Sequence, residues 1–513
     1  MKKRMLAAAI ALAAVVGTIM LEAGLPGGGK RYIQHQMAGA AAQPAETAVT
    51  PTELSKTAYD PNAVDLDKLI THLPLLEIDT RGEEVPGQPY YPSEAQDHTE
   101  YTLAENGEST IVADLRVRDR ELNGLADDPT LESAIRIRVR GNSSRWFDKK
   151  SYAIRTVEQD GVTEDRLPLL GMEAGKDWAL HGPFLDKSLM RNYLGMNLAG
   201  QMMDYAPDVR YCEVVVNGEY QGLYLLMETV SRGEGRVDIR GIQEEKGVTG
   251  YVVQFDTDTT PSVEPLHNFS NYAHILKEGA HILAEYPGTY NITDKLKRYI
   301  ERDVSAMEKA LYSYDYNSLE FGYTTFMDVG EFIDYMLILE VMEIHDAGNL
   351  STYYYRDPGG LVKPVVWDFN NGSGNYSLIA EDDYSIRKFV TVQAPWFLML
   401  IKDQAYVDGV IAEYRQLRHT LLSDEYIERF IEETIEYLGP AVERNFAVWG
   451  YSFDIANLDN HNKLFPDERN PSSYEEAVAQ YRDALLERLS WLDEHIDVLN
   501  QYSHESAVKK YNP

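Results

Sequence analysis

The chain has 513 residues, 82 of them Asp or Glu against 48 Lys or Arg, for a formal net charge of −34. That balance excludes a nucleic-acid polyanion as the main partner, and 44% hydrophobic residues with 11% aromatics exclude wholesale disorder. The lone cysteine, Cys212, excludes an internal disulfide framework and any cysteine-based zinc cluster, so packing must hold the fold together.

Lys2, Lys3 and Arg4 precede an apolar run over 5–21. A basic start followed by such a run predicts a secretory signal or signal-anchor, assigned to residues 1–25, and with it an exported protein, secreted or anchored at the cell surface. Residues 26–62 are rich in Ala, Pro, Thr and Gly without periodicity, the composition of a flexible tether. No later segment is apolar enough to span a membrane, so the N-terminal segment is the one expected membrane contact.

Residues 73–79, 111–117 and 135–140 alternate or run β-branched, which predicts strands. In the third, Ile135, Ile137 and Val139 face a core while Arg136, Arg138 and Arg140 point the other way. A turn-forming Gly141-Asn-Ser-Ser follows, then a second alternating run over 149–155. A helix is predicted to start at Asp186 as N-cap and to carry Leu189, Tyr193 and Met196. Strands at 211–216 and 221–227 flank Asn217-Gly218, a strong hairpin signal. Amphipathic helices are then predicted over 293–311, 329–344, 396–418, 424–438 and 474–499, with a strand–turn–strand insert over 351–367. The expected class is therefore α+β, with a β-rich region over 63–255, a mainly helical region over 256–500 and a tail over 501–513. That order is reminiscent of a two-lobed kinase.

Familiar chemical motifs are absent. There is no HExxH, GxSxG or helix-opening GxGxxG, the histidines lack metal-ligand spacing, and 171–177 is too short and lacks the Ser/Thr of a phosphate loop. Two segments do carry chemistry. In the first, Arg140, Asn142, Ser143, Ser144 and Arg145 form a glycine-containing loop with hydroxyls and flanking cations, suited to wrapping phosphate oxygens. If strand alternation holds through 149–155, Lys150 points inward with Tyr152 and Ile154, and Lys149 outward. In the second, Asp346 leaves an apolar helix and Asp368 ends an apolar strand, each entering a loop, with Asn349 and Asn370 close by in sequence. Carboxylates at such termini are exposed enough to work yet held by rigid elements. The bland alternative is that both are turn formers or caps.

Taken together, these segments resemble the spore-coat CotH kinase family of atypical secreted protein kinases. The resemblance rests on Arg140-Gly-Asn-Ser-Ser-Arg145, Lys149-Lys-Ser-Tyr-Ala-Ile154, Asp186-Lys-Ser-Leu-Met-Arg-Asn192, the Asn217 to Glu228 hairpin, Gly250-Tyr-Val-Val-Gln-Phe-Asp256 and Val366-Trp-Asp368, in family order. It implies a divergent two-lobed protein-kinase-like fold, with a β-rich N-terminal lobe and a mainly helical C-terminal lobe. It further implies transfer of the γ-phosphate of ATP, with Mg²⁺ or Mn²⁺, to Ser or Thr of a protein. In that scheme Asp346 is the catalytic-loop carboxylate, and Asp368, Asn349 and Asn370 hold the metal. Lys150, or else Lys149, binds phosphate, and Glu228 reaches adenine or ribose. One departure stands out: the family usually has a second Asp where this chain has Asn370, which lowers the negative charge offered to a divalent ion. A non-catalytic binding protein on the same scaffold and an adenylyl transferase are the alternatives. The acidic surface would steer a basic, Ser/Thr-rich protein substrate toward the molecule.

Overall fold

The alternating first half folds into a closed barrel. The computed structural model describes residues 57–503 apart from 93–98, 258–264, 277–278, 347 and 377–386. The predicted signal segment and nearly all of the tether and tail lie outside the described residues. Strands β1 (Leu75–Asp79), β4 (Ile111–Arg118), β5 (Leu131–Val139), β6 (Tyr152–Val157), β7 (Asp177–His181), β9 (Glu219–Glu228) and β8 (Val209–Val216) close in that order, and β2 (Pro89–Tyr90) pairs with β3 (Glu100–Tyr101) outside them. Every barrel neighbour is antiparallel except the closing pair, where β1 runs parallel to β8. Ile135, Ile137 and Val139 do enter the core, with Leu76, Leu115, Ile154, Trp178 and Leu226. The β8–β9 hairpin turns at Asn217 and Gly218, both at positive φ (51° and 78°), the combination that a two-residue type I′ turn demands.

Between β7 and β8 the chain crosses over through α1 (Arg191–Met202). This helix starts five residues beyond the predicted cap. Asp186 still serves its start from a distance, because its carboxylate accepts from the Arg191 N–H at 2.9 Å and pairs with the Arg191 guanidinium at 2.5 Å.

A second sheet, ordered β11 (Ala280–Tyr286), β10 (Tyr251–Thr257), β12 (Thr352–Arg356), β13 (Lys363–Val365), belongs to the other half. The expected boundary near 255 thus falls inside β10, whose partners are all downstream. The predicted helices become α2 (Asp294–Leu311), α3 (Val329–Met342), α4 (Gln404–Arg418), α5 (Asp424–Leu438) and α7 (Tyr474–His495), while α6 (Pro440–Trp449) was not anticipated. The run over 396–418 breaks into a helical turn, Phe397–Leu400, and α4, because Asp403 caps α4 by accepting from the Ala405 N–H. One hydrophobic core joins Tyr211, Leu223 and Leu225 of the barrel to α3, α4, α5 and α7. The class is α+β as expected. The expected two-lobed arrangement is not what closes the β-rich region, however, which is a seven-stranded barrel fused through that core to the helices.

Helix α6 is what locks the two halves. Arg444 reaches Glu213 of β8 through two contacts, 2.8 and 2.7 Å, with both side chains fully buried, and Asn445 accepts from the Leu223 N–H. Elsewhere on the helical half, Asp334 on α3 lies beside Glu413, Glu331, Asp204 and Asp328. Burial, with those like charges adding to it, pushes its pKa up to about 8. A carboxylate whose native pKa exceeds its unfolded one destabilises the fold above the native value and ceases to do so as pH falls toward the unfolded one. Asp334→Asn is accordingly expected to raise Tm at pH 9 and to flatten the rise in Tm between pH 9 and pH 6, as followed by circular dichroism melts.

Candidate functional site

The candidate cleft lies where the end of β5 meets the loops that follow α3 and β13. Arg140, first residue after β5, places its guanidinium carbon 5.3 Å from the Trp367 ring centroid, next to Asp368. Burial lowers the pKa of Arg140, and the charge of Asp368 opposes that shift. Asp368 responds in kind: burial pushes it up to about 6, Arg140 pulls it down, and the like charges of Asp346 and Asp256 push it up again. Asp256, at the end of β10, is raised by burial and by Asp346. Asp368 is therefore coupled to two further carboxylates, Asp346 and Asp256, and to one guanidinium. His181, at the end of β7, lies within reach of the Arg140 charge. Its buried Nε2 has no hydrogen-bond partner among the described residues, and burial together with Arg140 drops its pKa to about 4, leaving the ring neutral.

The loops carrying the carboxylates are held firmly. Asp346 accepts from Asn371 Nδ2 at 3.2 Å, and its own carbonyl accepts from the Asn349 and Leu350 N–H groups. Asp368 sits at φ 60°, a left-handed conformation that Asp tolerates better than most residues. The next residue, Phe369, donates its N–H to Asn192 Oδ1 at 2.8 Å and packs against Gly195 of α1, where an added Cβ would fall 2.5 Å from the ring. Arg191 bonds the Gly372 and Ser373 carbonyls, Ser373 bonds Met342, Gly374 bonds Glu343, and Asn375 returns to the Asn370 carbonyl at 2.7 Å. Each residue of the Gly372-Ser-Gly-Asn375 stretch is thus held by at least one hydrogen bond. Gly195→Ala is expected to displace the Phe369 ring and cost about 1–3 kcal/mol by overpacking, readable in urea unfolding.

The phosphate-type loop is built differently from expectation. Gly141 adopts φ 109°, and a Cβ there would strike Ser144 Oγ at 1.9 Å, so only glycine fits. Asn142 and Ser143 are exposed at the tip and Ser144 is half-buried. Arg145 is turned back onto the protein, donating to the Gly141 carbonyl at 2.6 Å and lying 4.0 Å from the Tyr101 ring centroid.

Neither lysine occupies the predicted place. Lys150 caps this loop instead, its ammonium donating to the Arg145 carbonyl at 2.8 Å. Lys149 is the buried one, bonded to the Leu223 carbonyl at 2.6 Å and to Asn445 Oδ1 at 2.7 Å, where burial depresses its pKa strongly. The inward reading of Lys150 fails because β6 begins only at Tyr152, so alternation does not reach back to the lysines. Glu228 is also withdrawn from any ligand. It is fully buried, accepts from the Asp208 N–H at 3.0 Å, and pairs with Arg236 at 3.7 Å. The structure brings together Arg140, Asp346 and Asp368, with Asn349 and Asn370 on the same two loops, and leaves out Lys149, Lys150 and Glu228. Asp256, His181 and Asn371 were missed. Asp256 alone had a signal, as the last residue of a quoted motif.

Among the described residues no three His, Cys, Asp or Glu side chains converge closely enough to hold a metal by themselves. Mg²⁺ does not require that. It commonly takes one or two carboxylates, with phosphate oxygens and waters completing its shell. Asp368, raised by Asp346 and Asp256, and Asp256, raised by Asp346, fit such an ion, since a divalent cation would relieve that repulsion.

Fold and site together define an α+β protein whose cleft offers hard oxygen donors and a guanidinium, the chemistry of a phosphate-handling enzyme. The chain belongs to the CotH kinase family: the family model described as CotH kinase protein matches residues 137–492, most of the chain and all of the cleft residues. No curated protein matches it. No helix among the described residues is long and apolar enough to cross a membrane.

Proposed function

We propose that this protein is an ATP-dependent protein kinase that transfers the γ-phosphate to Ser or Thr of an exported or surface-associated protein, with export resting on the N-terminal segment. The observation that carries this reading is the placement of Asp346 near Asp368 on two braced loops, with Arg140 beside Asp368. In this scheme Asp346, oriented by Asn371, accepts the proton of the acceptor hydroxyl as its oxygen attacks the γ-phosphorus, and ADP leaves. Arg140 bonds phosphate oxygens and stabilises the charge that spreads over them. Asp368, with the carbonyl oxygens of the Asn349 and Asn370 side chains, would hold Mg²⁺ or Mn²⁺, which neutralises phosphate charge when bound. An amide in place of a second carboxylate weakens that site without removing it. The net charge of −34 supports a basic, Ser/Thr-rich acceptor.

The test is intact-mass analysis of the full chain incubated with ATP and Mg²⁺ or Mn²⁺, alone and beside a basic Ser-rich acceptor, with Asp346→Ala in parallel. A phosphate-sized gain that is absent from the variant supports the kinase. An adenylate-sized gain replaces it with nucleotide transfer. No gain with either metal, and no thermal shift with ATP, replaces it with a binding protein.

A further inference from the structure

A buried ammonium without a partner is costly, and such groups call for an explanation. Lys187, in the crossover between β7 and α1, is 3% exposed, and its ammonium has no hydrogen bond or ion pair among the described residues. It lies over the Phe184 ring, 5.5 Å to the centroid, and within reach of the Asp186 charge. The carboxylate of Asp186 is already engaged by the Ser188 hydroxyl and by the N–H and guanidinium of Arg191. Burial pulls Lys187 down to about 8, with Asp186 opposing, so it remains mainly charged at neutral pH.

Lys187 lines a cavity of about 590 Å³ between that crossover, the back of the 373–375 loop and α7. This volume is in the range of small-molecule sites, about 300–1,000 Å³. Among the described residues Arg191, Arg387 and Arg469 line it too, against two lining carboxylates, Asp483 and Glu487; Arg191 is paired with Asp186 behind the wall, and Glu487 pairs with Arg387 at the exposed rim. In a chain carrying −34, an excess of positive charge around one concavity is a local reversal. The guanidiniums of Arg191 and Arg469 are anchored by the loop carbonyls they bond, which sets their positions in advance. Neither Asp346 nor Asp368 lines the cavity, although its floor is the reverse side of the Asp368 loop.

We propose that this cavity is a second anion site, taking a phosphate group carried by a nucleotide or free in solution, with Lys187 as its central ligand. Converging cations, three of them planar guanidiniums, suit the several oxygens of a phosphate group better than a single carboxylate. The inference goes beyond the kinase reading and does not depend on it, because binding here needs neither the metal nor the catalytic carboxylates.

Calorimetric titration of the full chain in chelator, with inorganic phosphate and separately with AMP, tests it. Binding of at least one probe is expected, with affinity unchanged within about twofold in Asp368→Asn. A loss of about tenfold or more is expected in Lys187→Met. Ala484→Glu, which places a carboxylate on the helical wall without disturbing the buried crossover, should weaken binding similarly. Binding of both probes points to recognition of phosphate alone, and binding of AMP only to a nucleotide. The proposal is overturned if neither probe binds at millimolar concentration, or if both cavity variants bind as the wild type does. It is equally overturned if Asp368→Asn alone abolishes binding, since AMP would then occupy the cleft.

Discussion

Asp368→Asn should fold like the wild-type chain yet lose phosphate transfer by about 10²–10³-fold, the usual cost of removing a group that stabilises transition-state charge. The substitution preserves shape, and Asn accepts the left-handed φ of 60° found at this position, so a loss of activity cannot be ascribed to backbone strain. It also removes the charge that faces Arg140 and repels Asp346 and Asp256. Thermal stability should therefore hold or rise while activity falls, a divergence that separates a functional from a structural role. The contrast with Lys150 sharpens the test. Lys150→Ala removes one hydrogen bond to the Arg145 carbonyl and should leave the rate within a few-fold, whereas Arg140→Gln should reduce it nearly as far as Asp368→Asn does. Initial rates from phosphate incorporation, with circular dichroism melts on the same preparations, check all three.

The largest effect on stability is expected at Arg444. Its guanidinium makes a two-point contact with Glu213, also donates to Thr71, and Glu213 in turn accepts from the Tyr220 hydroxyl. Burial alone would raise the pKa of Glu213, but Arg444 outweighs it and holds the carboxylate below its ordinary range. Removing one member leaves the other charge buried and unpaired, at a cost of about 3–5 kcal/mol. Arg444→Ala should thus lower the urea midpoint sharply. Replacing both members together, Arg444→Met with Glu213→Leu, should recover much of that loss, since an apolar pair of similar size needs no desolvated charge.

What the sequence revealed follows from how far each signal reaches along the chain. Alternation in 135–139 and the Asn217-Gly218 turn are encoded within a few residues, and both appear as read. Barrel closure depends on β1 pairing with β8, more than 130 residues apart, and no local pattern announces it. The same limit explains Lys149 and Lys150. Their periodicity was extended through a segment that is bent rather than extended, and the acceptor that buries Lys149 comes from Asn445, on the one major helix the hydrophobic pattern did not expose. Glu228 looked like an accessible strand end because its covering partners, Asp208 and Arg236, lie in irregular segments on either side of the hairpin. Asp346 and Asp368 were legible because each ends a strongly apolar element, and the transition from core to loop is written in the residues themselves. Asp256 stands at the end of the apolar β10 in the same way but was read only as part of a motif, and Asn371 and His181 carry no such boundary mark. Only the folded geometry brings them to the same cleft.

Helix α1 is inserted between two barrel strands, yet Asn192, Arg191 and Gly195 on it grip the loop that carries Asp368. It works as an axle fixed at both ends, to the barrel through the chain and to the Asp368 loop through these contacts. Swinging the barrel as a whole away from the helical half would shear that grip and also pull Arg444 from Glu213. Admission of a substrate to the cleft is therefore expected to come from a short-range displacement, a flexing of the exposed tip at Asn142 and Ser143, while the Asp368 side stays still as the anvil.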